Sequence, residues 1–259
     1  MKFTNPITKA LKYQKAVFFF EDDVQHVMVS RMSRTGSAPV YSVLDQRRRR
    51  GRVMVDDVQI GQPATINSAK RSTLWHADVG YVFTGLGANY GLSIRTGKKS
   101  GSWADIGTSS KPPTEVDFFT AWIQHTNLTA PLFYSIYPAV TYNQFLTKRT
   151  SVVLRTIKND NSASAVFHPG RRTAMFVFWN STGGSCTFTP TSGGSSITVS
   201  STAPVTVILR IDAKELIVSN PSQNLASTQI TVRNGATTKV VSFTFPSGGS
   251  GGASVTKKY

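Results

Sequence analysis

The chain has 259 residues, 39% hydrophobic and 16% charged, which is enough for one large or two ordinary domains with buried cores. That balance excludes a disordered polyelectrolyte, and no run reaches the ~20 apolar residues that span a bilayer as a helix. Lys and Arg number 29 against 13 Asp and Glu, a net charge of +16, which attracts a polyanion: nucleic acid, anionic lipid or acidic polysaccharide.

The start, MKFTNPITKALKYQK, alternates Lys with apolar residues and lacks the roughly 7–15-residue apolar core of a secretory signal. It therefore reads as carrying no signal peptide: either the protein is cytosolic or its start lies inside a longer ancestral frame. Thr8–Gln14 is the one stretch that reads as a helical turn. From there the hydrophobic period is two, not 3.6. Strands are expected over Val17–Phe20, Val24–Val29, Val53–Ile60, Gly80–Phe83, Tyr90–Ile94, Asp117–Ile123 and Phe133–Pro138, rich in Val, Ile, Phe and Tyr. A second set covers Ser151–Ile157, Ala163–Phe167, Ala174–Trp179, Cys186–Thr189, Ser196–Ser200, Val205–Ile211, Glu215–Val218, Gln229–Val232 and Lys239–Phe245. Short strands at this turn-punctuated spacing predict an all-β protein built of antiparallel sandwiches. A boundary is placed near Phe145–Thr150, where aromatic strands with long loops give way to Ser/Thr/Val strands with Gly-Gly turns. The tail PSGGSGGASVTKKY reads as flexible.

Few residues suggest chemistry by spacing. His26, His76, His125 and His168 stand apart from one another and from the single Cys186, so neither a zinc site nor another cofactor is indicated. Cys186 reads as an ordinary strand residue. Gly85-Leu86-Gly87 lies between strands without a following helix, unlike a dinucleotide loop. Glu21–Asp23 reads as a hairpin turn in preference to a metal loop. The tract Arg47, Arg48, Arg49 and Arg50, with Arg52 beyond, is the strongest charge feature. Its guanidinium groups could grip carboxylates or sulfates in pairs of hydrogen bonds, or simply face water at a strand end. Aromatic rings suit the apolar face of a sugar. Trp122, Tyr134 and Tyr137, inside regular strands, read as core, whereas Trp75 and Trp103, beside Asp, Gly and Ser, read equally as core or as stacking platforms.

Several segments, taken in order, resemble the β-region of polysaccharide lyase family 8, the lyases of hyaluronan, chondroitin and xanthan. Lys15–Ser30, KAVFFFEDDVQHVMVS, is similar to the family's K-x-WFFFDDEIVxLGxGI, with Val17 in place of Trp. Tyr41–Arg47, YSVLDQR, resembles a strand ending in DQR, and Leu74–Phe83, LWHADVGYVF, a W-x-H-x-G-x-x-Y strand. Arg95–Thr108 resembles RxGxWxxIN, with Gly107 for Asn; Ala121–Pro138 resembles a HG…Y-x-Y pair, with Thr126 for Gly. Leu216–Gln223, LIVSNPSQ, is similar to a strand and turn ending in DPTq.

The resemblance implies an antiparallel supersandwich of the galactose-mutarotase-like type at 1–148, N-terminally incomplete, followed by a small C-terminal β-sandwich at 149–259. It implies β-elimination on acidic glycans outside the cell: removal of the C5 proton of a uronate, then departure of the 4-linked oxygen. The catalytic Asn, His, Tyr and Arg of the family sit on a helical toroid, and a supporting Glu lies upstream; none has a counterpart here. The expectation is therefore an acidic-polysaccharide partner, no turnover by this chain alone, and a helical domain or subunit supplied from elsewhere. The weak carbohydrate-binding candidates are Trp75, His76, Arg95 and Trp103, with the Arg47–Arg50 patch. A stand-alone glycan-binding or adhesive module is the alternative. A nucleic-acid binder is disfavoured by the lack of any RRM, KH or OB signature, and a membrane is not a partner. An exposed apolar face is expected where the helical part would pack.

Overall fold

The computed structural model describes residues 1–84 and 89–259, so Gly85-Leu86-Gly87 lies outside the described residues. Among these residues the strands form four antiparallel sheets. An eight-stranded sheet runs in the order Lys2–Thr4, Leu11–Phe20, Val24–Arg34, Leu132–Tyr137, Val79–Val82, Thr73–His76, Val53–Val55, Val58–Gln59. A four-stranded sheet runs Val40–Arg48, Thr114–His125, Tyr90–Gly101, Ala64–Ala69. The later residues give a six-stranded sheet starting at Arg155–Asn159 and a second four-stranded sheet from Gly184–Phe188 to Thr237–Thr244.

These sheets stack as layers because their strands carry apolar residues at alternate positions. Phe119, Ala121 and Ile123 of one four-stranded sheet pack with Val27, Val29 and Leu74 of the eight-stranded sheet. The opposite face of the eight-stranded sheet carries Ala16, Phe18, Phe20 and Met28, which close against Val166 of the six-stranded sheet and Trp179 just past its strand Thr173–Phe178. Phe167, Phe176 and Leu209 then meet Cys186, Val199 and Phe243 across the last sandwich. Polar clamps fix the central junction. His168 Nδ1 accepts from the Arg171 amide at 3.2 Å, so its proton sits on Nε2, which donates to Asp22 at 2.9 Å. Arg210 reaches Glu21 at 3.0 Å. The acidic turn Glu21–Asp23 is a hairpin turn, as its composition indicates, and it also ties the two halves of the chain together.

Four expectations need correction. Thr8–Gln14 is no helical turn: from Leu11 the chain is strand, paired with Lys2–Thr4 on one side and Val24–Arg34 on the other. Tertiary pairing overrides a short local preference. The stretch Val53–Ile60 is two short strands folded back at Asp56 and Asp57, both with positive φ. Ser151–Ile157 is not one strand, since a helix runs to Ser151 and the strand begins at Arg155. The tail is not free: Val255–Lys258 pairs with Glu215–Ser219, and the Tyr259 amide donates to Lys214 O at 3.0 Å. Val255 and Tyr259 both pack on the core, which offsets the entropy of ordering a Gly-rich segment.

The α-helix Tyr142–Ser151, which the residue pattern did not suggest, is held by a capping box between Thr141 and Gln144. Arg149 pairs with Asp57 at 2.7 Å, and Phe145 is buried against Tyr137. A Cβ added at Gly80 would overlap the Phe145 ring, so this glycine is the seat on which the helix rests. Gly80→Ala is expected to destabilise the protein by about 1–3 kcal/mol, as overpacking does. Combining it with Phe145→Leu should recover part of that loss in a urea-denaturation cycle.

His26 and His125 are buried, with Ser135 Oγ at 3.0 Å and Ser42 Oγ at 2.8 Å. His76 packs on Phe119 with ring centres 4.0 Å apart. Burial pushes all three imidazoles down to about 4. Unfolded imidazoles titrate near ~6.5, so between that pH and 4 the unfolded chain binds more protons than the folded one. Stability conferred by these neutral histidines is therefore complete above pH ~6.5 and is lost as pH falls toward 4. The melting temperature should drop between pH 7.5 and 5, with proton uptake on unfolding approaching one for each of His26, His76 and His125 at the acid end.

Candidate functional site

The arginine tract begins on a strand and continues past its end, and this divides its members. At the end of Val40–Arg48 the alternation turns Asp45 and Arg47 inward, opposite Ala121 and Phe119. Arg47 Nε donates to Asp45 Oδ1 at 2.8 Å, and its Nη2 lies 2.7 Å from Oδ2. That bond raises the guanidinium further above its ordinary range. Arg49 donates through Nε to Asp117 Oδ2 at 2.9 Å and holds that carboxyl below its usual range. Arg48 and Arg50 have no ion pair among the described residues.

His76 lies beneath the tract. Its Nε2 accepts the Arg50 backbone N–H at 3.1 Å, so the ring proton is on Nδ1, which is buried without a partner. Burial chiefly lowers its pKa; the Asp45 carboxylate opposes this, and Arg47 and Arg49 reinforce it. The ring is a neutral prop for the Arg50 backbone.

Above His76 opens a cavity of about 690 Å³, lined by Arg47, Arg48, Arg50, Gly51, Trp75, Ala77 and Asp78. Gly51, at φ +67°, makes the turn that carries the tract over the cavity. Trp75 is only 8% exposed and donates from Nε1 to Val140 O at 2.9 Å. It is a wall with a buried face, held edge-on by Tyr142. Arg52 sits 4.9 Å over the Tyr142 ring and 6.0 Å over Trp75, which orients a third cation beside the tract. The sequence shows Arg52 beside the tract, but its ring partner Tyr142 is distant in sequence, so no local signal could have joined them.

The remaining candidates lie elsewhere. Arg95 is on the outer face of the four-stranded sheet, its guanidinium carbon 5.3 Å from the Trp122 ring centre. Trp103 is 62% exposed, in a short 3-10 turn capped by the Ser102 side chain. The structure therefore brings together Arg47, Arg48, Arg50, Trp75 and His76, and leaves Arg95 and Trp103 on a different surface. Tyr134 and Tyr137 are core, as their strand positions indicate, whereas Trp122 is half-buried on that outer face. Among the described residues no group of three or more His, Cys, Asp or Glu is placed to hold a metal, and no helix is long and apolar enough to cross a membrane.

Comparison with known proteins sets this geometry in a family. The family description "Polysaccharide lyase family 8, super-sandwich domain" matches residues 1–149, and "Polysaccharide lyase family 8, C-terminal beta-sandwich domain" matches 155–229. A chondroitinase AC lyase solved as enzyme–oligosaccharide complexes superposes with a TM-score of 0.84 at 22% identity, covering 99% of this chain and 37% of that one. A Paenibacillus xanthan lyase gives 0.79 at 20% identity, covering 99% of this chain and 26% of that one. A Streptomyces coelicolor A3 chondroitin AC lyase in complex with chondroitin sulphate gives 0.64 at 20% identity, covering 85% and 27%. At these identities the likeness establishes the fold, and the chain spans well under half the length of each of these structures. No curated protein matches the chain in sequence. With one family description over its first 149 residues and another over 155–229, the chain belongs to polysaccharide lyase family 8 and comprises super-sandwich and C-terminal β-sandwich regions of that family.

Proposed function

We propose that this β-region grips an acidic polysaccharide of the hyaluronan, chondroitin or xanthan type for β-elimination, outside the cell, through the cavity at Arg48 and Arg50. The supporting observation is the division of the arginine tract. Two of its members are neutralised by Asp45 and Asp117, while Arg48 and Arg50 line one concavity without an ion pair among the described residues. A guanidinium offers a planar pair of donors that matches a carboxylate or sulfate. His76 holds the Arg50 backbone in place, so the side chain starts from a fixed point beside the cavity.

The reaction itself needs a base to take the uronate C5 proton and an acid to protonate the departing 4-linked oxygen. Burial pushes Tyr90, Tyr134 and Tyr137 up to about 12, the wrong direction for a phenolate base. The buried imidazoles of His26 and His125 are occupied with serine hydroxyls. Following the family resemblance, which puts the catalytic Asn, His, Tyr and Arg on a helical toroid, we assign the proton transfers to such a helical part and the anion contacts to this β-region.

Isothermal titration with hyaluronan and chondroitin sulfate oligosaccharides tests this reading. Arg50→Ala should weaken binding about tenfold or more, since a hydrogen bond to a charged group contributes ~1.5–3 kcal/mol. Arg47→Ala should lower the melting temperature, because it leaves the buried Asp45 unpaired. Residues 1–259 alone should give no rise in ultraviolet absorbance from an unsaturated product. Turnover by this chain, or unchanged affinity in Arg50→Ala, would overturn the assignment.

A further inference from the structure

The outer face of the four-stranded sheet is unusual for a solvated β-surface. Its inner side is spent on the core through Leu92, Ile94, Phe119, Ala121 and Ile123. An antiparallel sheet with one wet face ordinarily shows polar residues there. Here Tyr41 and Val43 are 47% and 60% exposed, and Trp103 and Ile106, in the turn beside the sheet, are 62% and 79% exposed. An apolar surface of this kind marks a contact site.

The face holds two ring clusters joined by one strand. At one end Tyr41 meets Trp122 edge-on at 6.3 Å, and Arg95 covers the Trp122 ring. At the other end a concavity of about 500 Å³ is lined by Arg48, Lys99, Trp103, Ile106 and Phe118, among others. Phe118 and Trp122 sit on the same face of Thr114–His125, four residues apart. At ~3.4 Å per residue that separates them by ~14 Å, so the surface suits an extended ligand.

Charge decides which ligand. Arg48, Arg95 and Lys99 have no ion pair among the described residues, whereas the acids of the same strand are used: Glu115 by Lys98 at 2.9 Å, and Asp117 by Arg49. Asp105, in the turn with Trp103, does not line the concavity. A second copy of this chain docking across a two-fold axis would set the same cations against themselves, which is repulsive. An anion with apolar patches fits both features, and a uronic-acid polymer has both: C–H faces on its rings and carboxylates at their edges.

We infer that this outer face is a second acidic-glycan-binding surface, apart from the cavity at Arg50, where Trp103 stacks a sugar ring and Lys99, Arg48 and Arg95 hold its carboxylates or sulfates. The ligand class rests on the function proposed above; the site does not. Arg48 lines both concavities and makes them neighbours on one molecule. Such a surface would hold polymer while the cavity engages a single uronate.

The test uses the 259-residue chain and hyaluronan or chondroitin sulfate oligosaccharides, with neutral dextran as control. Of the four tryptophans, Trp75 and Trp179 are buried, Trp122 is half-buried and Trp103 is 62% exposed, so iodide quenching of fluorescence reports on Trp103 first. Saturating oligosaccharide should protect Trp103 from iodide, and dextran should not. Trp103→Ala, a surface change that should leave the melting temperature in place, should weaken binding about tenfold in the Arg50→Ala background. Lys99→Ala with Arg95→Ala should also make binding less salt-dependent, by the logic of counterion release. Undiminished affinity in Trp103→Ala, or persistent iodide access at saturation, would overturn the inference. So would protection of Trp103 by self-association in sedimentation, or equal and ring-independent binding of poly-aspartate. Each outcome is read apart from the cavity, because loss of the cavity's role appears only in Arg50→Ala with Trp103 intact.

Discussion

The architecture depends on a hairpin whose second strand, Val24–Arg34, is largely buried on both faces up to Ser30, while the first strand leaves Val17 and Phe19 exposed. Leu11–Phe20 and Val24–Arg34 send Val27 and Val29 into the first sandwich, and Ala16, Phe18, Phe20 and Met28 into the junction with the six-stranded sheet. A strand buried on both faces cannot slip register without placing polar groups in a core. This hairpin therefore sets the position of one half of the chain against the other. The carboxylates at its turn lock that position, since Glu21 meets Arg210, and Asp22 meets His168 and Arg171. Burial raises the Asp22 carboxyl, but the hydrogen bond from His168, a backbone hydrogen bond and the nearby Arg171 charge outweigh it and hold the group below its usual range.

The same period of two explains why four consecutive arginines do two different things. On the strand, Arg47 faces inward and finds Asp45, while Arg48 faces out. Past the strand end, Arg49 is captured by Asp117, and Arg50 is turned over the cavity by Gly51 with its amide on His76. Two guanidinium groups hold the platform, and two have no ion pair among the described residues. The Asp45–Arg47 pair, with the carboxylate buried and the guanidinium partly exposed, is a rigid support more than a source of stability, since burying the carboxylate offsets much of the attraction.

Much of this was legible in the residues. The alternation of Val, Ile, Phe and Tyr reports half-buried strands directly, so the all-β class and most strand positions follow from pattern. The helix Tyr142–Ser151 was not legible, because its apolar face reduces largely to Phe145 and depends on an absent side chain at Gly80. Nor was the ordered tail: its Gly and Ser composition signals a free chain, while the open edge of Glu215–Ser219 supplies the pairing that holds it. Among the site residues, Trp75 and Trp103 look alike in sequence, each beside Asp, Gly or Ser. Only the fold makes one a buried wall and the other an exposed platform.

By itself the sequence determined the layered β-class, the family likeness and the excess of cations, since these depend on local periodicity, residue order and a sum of charges. The tertiary structure decided which cations are free, which rings are exposed and which histidines are silenced. Those properties belong to pairs of groups brought together from distant positions, as with Arg49 and Asp117, Arg52 and Tyr142, or His76 and the Arg50 amide. A pair interaction is set by distance in space, and spacing along the chain carries no measure of it once strands from both ends of a domain share a sheet.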